Sequence, residues 1–293
     1  MLRRPQHFPR KRLRDRRRIF PLRLRVAALS ESHSNPEDRD PEEHGYAGHM
    51  GVSWGALASI LVMRAAIAPA DAPDDCSAAE RLPGIDVSSY QGAIDWRQVR
   101  AAGVVFAFAR FSDGLDVIDE RFAENFAAMK RAGVYRGAYQ VFRASADPEA
   151  QADLLLRALR RAGHPDLPLV ADVETDDGME PDEVQARLAR WLRRIERRTR
   201  RRPIVYTSPS MSDTVGAELG IYHLWIAHYE VDCPRLPDGW KGWRFWQHSS
   251  SGRVPGVNGP VDLDAFAGTK AELRRLNRAA RTQPEPRGYT AAP

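Results

Sequence analysis

Residues 167–174 read Leu-Pro-Leu-Val-Ala-Asp-Val-Glu. The apolar run from Leu167 to Ala171 has the length and composition of a buried strand, and it ends in Asp172-Val173-Glu174. Strand side chains alternate with period two, so Asp172 and Glu174 share one face and Val173 takes the other. Strand rise puts their Cα atoms roughly 6.5–7 Å apart. Two carboxyls on one face repel, and burial adds to the repulsion, so at least one should keep its proton to a higher pH than a free acid does. A general acid working near neutral pH needs a carboxyl of this kind. Taken alone, the Asp-x-Glu pattern is weak, because paired acids on a strand end are more often solvated or metal-binding than sugar-cutting.

This strand is one of a series. Val104–Arg110, Tyr135–Phe142, Leu167–Val173, Ile204–Thr207, Leu224–His228 and Arg244–His248 are short, rich in Val, Ile, Phe, Tyr and Trp, and read as buried strands. Amphipathic stretches lie between them. Phe122, Phe126 and Met129 fall at i, i+4 and i+7; Asp147-Pro148 is a helix cap before a run holding Leu155, Leu156 and Leu159; Val184, Leu188, Trp191 and Ile195 form a third stripe opposite an Arg-rich face. Strand-helix alternation over about 200 residues predicts an α/β fold with a largely parallel sheet, closed or nearly so, whose chemistry sits at the C-terminal strand ends.

Acids recur at such positions. Gly84-Ile85-Asp86-Val87-Ser88 reads as a first strand bearing Asp86, which could equally be a turn or cap aspartate. In Gly259-Pro260-Val261-Asp262-Leu263-Asp264, Asp262 and Asp264 share a face. First and last strands are neighbours in a closed barrel, so the three groups of acids can converge on one pocket. Tyr90, Tyr139, Phe142, Tyr206, Trp225, Tyr229, Trp243 and Trp246 lie near them. Most should be core, but an acid-lined cleft edged with Tyr and Trp suits a carbohydrate, whose C–H faces stack on aromatic rings.

Six segments in register carry a resemblance. They are Gly84-Ile85-Asp86-Val87-Ser88-Ser89-Tyr90-Gln91-Gly92 followed by Ile94-Asp95-Trp96; Gly137-Ala138-Tyr139; Ala171-Asp172-Val173-Glu174; Leu224-Trp225-Ile226-Ala227-His228-Tyr229; Trp246-Gln247; and Gly256 through Phe266. Together they resemble the glycoside hydrolase family 25 lysozymes over about residues 82–270. The resemblance implies a flattened TIM-like barrel of (β/α)5(β)3 type over residues 82–277. It further implies hydrolysis of the β-1,4 bond between N-acetylmuramic acid and N-acetylglucosamine in peptidoglycan, with no cofactor and no metal. Carried over by position, Glu174 is the general acid, and Asp172 assists as charge stabiliser or by positioning the substrate acetamido group. Asp86 and Asp262 line the cleft, and Tyr139, Tyr206, Trp225, Tyr229 and Trp246 shape the sugar subsites. Two positions depart from the family pattern: Gln140 stands where His is frequent, and Asp264 where Asn is common. The alternatives are an inactive glycan-binding barrel and a glycosidase acting on another N-acetylhexosamine polymer such as chitin.

Outside the barrel the sequence changes character. Residues 1–25 hold eleven Arg or Lys against the single acid Asp15, a net +10 that exceeds the +5 of the whole chain, so the remainder is acidic at −5. Residues 1–49 read as a disordered basic and polar extension. Nothing downstream resembles a nucleic-acid reader, so nucleic acid is not an expected partner. The thirteen apolar residues 51–63 are too short for a transmembrane anchor and suit a signal peptide, with small-residue cleavage sites at Ala68-Pro69-Ala70 and Ala70-Asp71-Ala72 and a linker to residue 81. A secreted or periplasmic monomer is expected, with a loose tail over residues 278–293. Cys76 and Cys233 lack metal-ligand spacing and could form one disulfide or remain two thiols.

Overall fold

The computed structural model describes Cys76 and residues 80–276. The extension expected over residues 1–49, nearly all of the leader and linker expected over 50–81, and the tail expected over 278–293 lie outside the described residues.

Nine strands and six helices follow in chain order: β1 (Arg81–Val87), α1 (Trp96–Ala101), β2 (Phe106–Asp113), β3 (Val117–Ile118), α2 (Phe122–Ala132), β4 (Tyr135–Val141), α3 (Pro148–Ala162), β5 (Val170–Asp172), α4 (Pro181–Thr199), β6 (Ile204–Thr207), α5 (Ser212–Val215), β7 (His223–Ala227), β8 (Phe245–Gly252), β9 (Val261–Ala267) and α6 (Lys270–Leu276). The strand order is β1-β9-β8-β7-β6-β5-β4-β2-β3, and β1 also pairs with β2, so eight strands close into a barrel with β3 appended. Neighbours from β1 through β2, β4, β5, β6 and β7 to β8 pair in parallel. Strand β9 runs antiparallel to both β8 and β1 and closes the ring. This is the flattened TIM-like α/β barrel that the sequence led one to expect.

Side-chain alternation sorts the apolar residues into two layers. Phe106, Phe108, Tyr139, Val170, Ile204, Tyr206, Trp225, Phe245 and Phe266 pack inside the barrel. Ala107, Ala109, Phe111, Ala138, Ala171, Val173, Val205, Leu224 and Ile226 face the helices. Each large aliphatic or Phe side chain among them contributes about 1.5–3 kcal/mol of burial, and each alanine less. Two glycines make room for the interior rings: a Cβ on Gly84 would meet the Phe106 ring at 2.2 Å, and one on Gly137 would meet Phe108 at the same distance.

The helices end where their sequences direct. The Asp147 side chain accepts from the Ala150 amide to cap α3, with Pro148 at its first turn. Helix α4 carries Asp182 and Glu183 in its first turn and Arg197 and Arg198 in its last, matching the helix dipole, and buries Val184, Leu188, Trp191, Leu192 and Ile195.

Strand β5 covers three residues rather than the seven expected over Leu167–Val173. Pro168 has no N–H to give to a ladder, and the Leu167 amide instead donates to the Arg136 carbonyl. Cys76 and Cys233 form a disulfide, with Cα atoms 5.6 Å apart.

Candidate active site

The C-terminal strand ends deliver the predicted acids to one place. Asp86 is the last but one residue of β1 and lies opposite Asp262 of β9 in the antiparallel ladder. Asp172 ends β5 beside Tyr206 of β6, which is in turn beside Trp225 of β7. Glu174 follows two residues beyond Asp172, on the loop leading to α4, and is exposed. Asp86, Asp172, Glu174, Asp262, Tyr139, Tyr206, Trp225 and Tyr229 all line one open cleft of about 230 Å³, with Tyr90, Arg110 and Gln247.

A hydrogen-bond network fixes the floor. The Tyr206 and Tyr229 hydroxyls donate to Gln247 Oε1 at 2.9 and 2.5 Å, and Gln247 Nε2 donates to Asp86 Oδ2 at 2.6 Å. Trp225 Nε1 donates to Asp264 Oδ1 at 2.9 Å. Asp172 Oδ1 is buried with no hydrogen-bond partner among the described residues, so a donor on a bound substrate can complete it. At the cleft edge Arg110 is paired with Asp119 at 3.1 Å, and its guanidinium lies 5.0 Å from the ring of Tyr90, which is 84% exposed.

Burial is the main cause that raises these acids, and their mutual charge adds to it. Asp172 is pushed well above the usual carboxylate range by burial and then by Glu174. Asp86 is raised by burial and then by Asp262, and Asp262 by burial and then by Glu174. The same forces keep the phenols protonated. Burial, then the Asp86 and Asp172 charges, raise Tyr139; burial, then Asp172, raises Tyr206; burial first lifts Tyr229 to about 12. The cleft therefore offers several carboxyls in different environments beside neutral hydroxyl donors. Among the described residues no group of three or more His, Cys, Asp or Glu side chains is placed to hold a metal ion.

Trp246 departs from the sequence expectation, and the structure also places Gln140 and Gln247, to which the sequence assigned no position. Trp246 is not in the cleft: its neighbours Phe245 and Gln247 take the inward face of β8, so Trp246 points outward, is 4% exposed, packs on the outer core and donates from Nε1 to the His228 carbonyl. Gln140 also faces outward, where Trp191 Nε1 donates to its Oε1 and its Nε2 donates to Ser112 Oγ, so its role is in packing α4 on the sheet. Gln247 is the residue that sequence reasoning passed over. The signal was present, since alternation places one of two adjacent residues inside, and the polar one could reach Asp86.

Residues 85–257 match the glycosyl hydrolases family 25. The YegX protein of Escherichia coli O6:H1 (strain CFT073) is 38% identical over 200 residues, covering 66% of this chain and 72% of that one. Lysozyme M1 of Streptomyces globisporus is 35% identical over 210 residues, covering 67% and 71% respectively. Among solved structures, the bacterial lysozyme from Streptomyces coelicolor superposes with a TM-score of 0.63 at 33% identity, covering 68% of this chain and 98% of that one. Barrel topology, acid-lined cleft and sequence thus agree, and the chain belongs to glycosyl hydrolases family 25 and is a glycoside hydrolase.

Proposed function

We propose that the cleft hydrolyses the β-1,4 bond between N-acetylmuramic acid and N-acetylglucosamine of bacterial peptidoglycan, with Glu174 as the general acid. The observation that carries this reading is the meeting of Asp86, Asp172, Glu174 and Asp262 in one open cleft edged by Tyr and Trp. Membership of a family that includes Streptomyces lysozymes supports the substrate class.

Glu174 stands at the exposed end of the acid pair, where a glycosidic oxygen can reach it. Its proton passes to that oxygen as the bond to the anomeric carbon breaks, and positive charge develops on the sugar ring. The surrounding carboxyls favour that charge in a site already arranged for it. Asp172, with Oδ1 unpaired, orients the acetamido group of the bound sugar. Glu174, now ionised, then takes a proton from the water that completes hydrolysis. Tyr139, Tyr206, Trp225 and Tyr229 shape the walls against which the rings lie.

The protein acts outside the reducing cytoplasm as a monomer. The Cys76–Cys233 disulfide supports the compartment.

Glu174→Gln tests the catalytic assignment. The variant is expected to lose clearing of a purified peptidoglycan suspension by at least about a thousandfold, the upper part of the usual general-acid range. It should keep its circular dichroism spectrum and its binding to saccharide. Turnover close to wild type would overturn the role of Glu174.

A further inference from the structure

Beside the four cleft acids lies a fifth carboxyl that the proposed chemistry does not use. Asp264 of β9 is 2% exposed, and its Oδ1 accepts from Trp225 Nε1 at 2.9 Å. Its Oδ2 is buried and has no hydrogen-bond partner among the described residues. The groups around Asp264 can be named strand by strand. Strand β1 presents Asp86, which is within hydrogen-bonding reach. Strand β7 presents Trp225, β8 presents its register partner Gln247, and β9 itself carries Asp262. Arg81, Glu230, Asp232 and His248 share a surface groove with it.

Two ionised carboxylates side by side here would leave two buried like charges with one neutral donor each. Loss of water from both, plus their repulsion, makes that arrangement costly. One proton between them removes a charge and supplies the missing donor. The network decides which carboxyl holds it. Asp86 opens on the cleft and accepts from Gln247 at 2.6 Å, and Gln247 is itself polarised by two phenol hydroxyls that donate to its Oε1. That favours the anion at Asp86 and leaves the proton on the more enclosed acid.

We propose that Asp264 is a positioning residue held as the neutral acid, whose Oδ2–H donates to the Asp86 carboxylate and fixes its orientation in the cleft. Burial, followed by the Asp86 charge, raises Asp264 in the direction this requires. Asp86 is then clamped from two sides, by Gln247 and by Asp264, and presents a fixed negative charge to the cleft. The catalytic half of this statement rests on the hydrolytic reading of the cleft; the protonation half does not.

Asn is the decisive substitute. Its amide can accept from Trp225 and donate to Asp86, as the neutral acid does, but cannot mimic a carboxylate. Asp264→Leu is expected to lower kcat on purified peptidoglycan by about tenfold or more with KM little changed, the effect of losing a hydrogen bond to a charged group. Asp264→Asn is expected to restore kcat to within about threefold of wild type. An arm independent of activity is the melting temperature of wild type and Asp264→Asn from pH 5 to pH 8. A folded state that holds one proton more than the unfolded chain loses stability as pH rises, so the Asn variant should gain on wild type by about 3–5 °C per pH unit. A melting-temperature difference that stays flat with pH overturns the protonated state. A folded Asn variant with kcat as low as Leu overturns the donor role. If wild type fails to cleave peptidoglycan at all, the functional reading falls while the melting series still decides the proton.

Discussion

Asp172 and Gln247 show how much a single side chain can carry in this cleft. Asp172 is inward because Val170 is, and Glu174 follows by alternation, so the placing of both carboxyls on the cleft was readable from eight residues. Alternation alone does not say which of two adjacent residues turns inward. In Trp246-Gln247 the large aromatic drew the assignment, whereas the ladder opposite Asp264 selects Gln247. Gln247 joins Tyr206, Tyr229 and Asp86 through three hydrogen bonds of 2.5–2.9 Å. Gln247→Leu keeps the volume and removes all three. A bond to a charged group is worth about 1.5–3 kcal/mol, so kcat/KM on peptidoglycan should fall roughly ten- to a hundredfold. Initial rates paired with circular dichroism check this, and a folded variant with unchanged rate would show that Asp86 needs no such support.

At the level of elements, the loop between β5 and α4 holds Glu174, and one cation ties it down. Arg143 donates to both Asp113 oxygens at 2.5 and 2.6 Å, and reaches Asp177 at 3.4 Å. Those bonds raise its pKa, the Asp113 hydrogen bond first. Asp113 ends β2 and Asp177 lies three residues past Glu174, so Arg143 joins the barrel to the loop that bears the proposed acid. Arg143→Ala should lower kcat by about tenfold while changing KM less, because a small displacement of an acid weakens proton transfer more than binding. Steady-state kinetics on soluble peptidoglycan fragments separate the two. The long elements were legible because their periodicity runs over many residues, as Val184, Leu188, Trp191 and Ile195 do along α4. The two-residue β3 and the six-residue α1 carry too few residues to set a period, and both owe their form to context: β3 to its pairing with β2, and α1 to the Asp95 cap.

Across the molecule, closure of the barrel made the distant acids meet, and β9 against β1 is the decisive pairing. The alternation of strands and helices announced that closure, but the disulfide was not decidable from spacing, since Cys76 and Cys233 are 157 residues apart and only the fold brings them together. Opening the disulfide frees a long loop and should cost about 2–5 kcal/mol, visible as a lower melting temperature in reductant and in Cys233→Ser alike. The acid cluster makes a second prediction. Asp172, Asp262 and Asp264 are raised by burial in the folded state, so the fold holds more protons than the unfolded chain. Their stabilising contribution is complete below the ordinary carboxyl range near pH 4, and is lost as pH rises through their folded values. Calorimetry should find stability declining as pH rises above the ordinary carboxyl range, and Asp172→Asn should flatten that decline while cutting activity.

The most direct measurement is the chemical identity of the ends released when wild-type protein digests purified peptidoglycan. After reduction and acid hydrolysis, the account predicts muramicitol from new N-acetylmuramic acid reducing ends, increasing with clearing of the suspension. New glucosamine ends, free peptide amines without new sugar ends, or no release at all would contradict it.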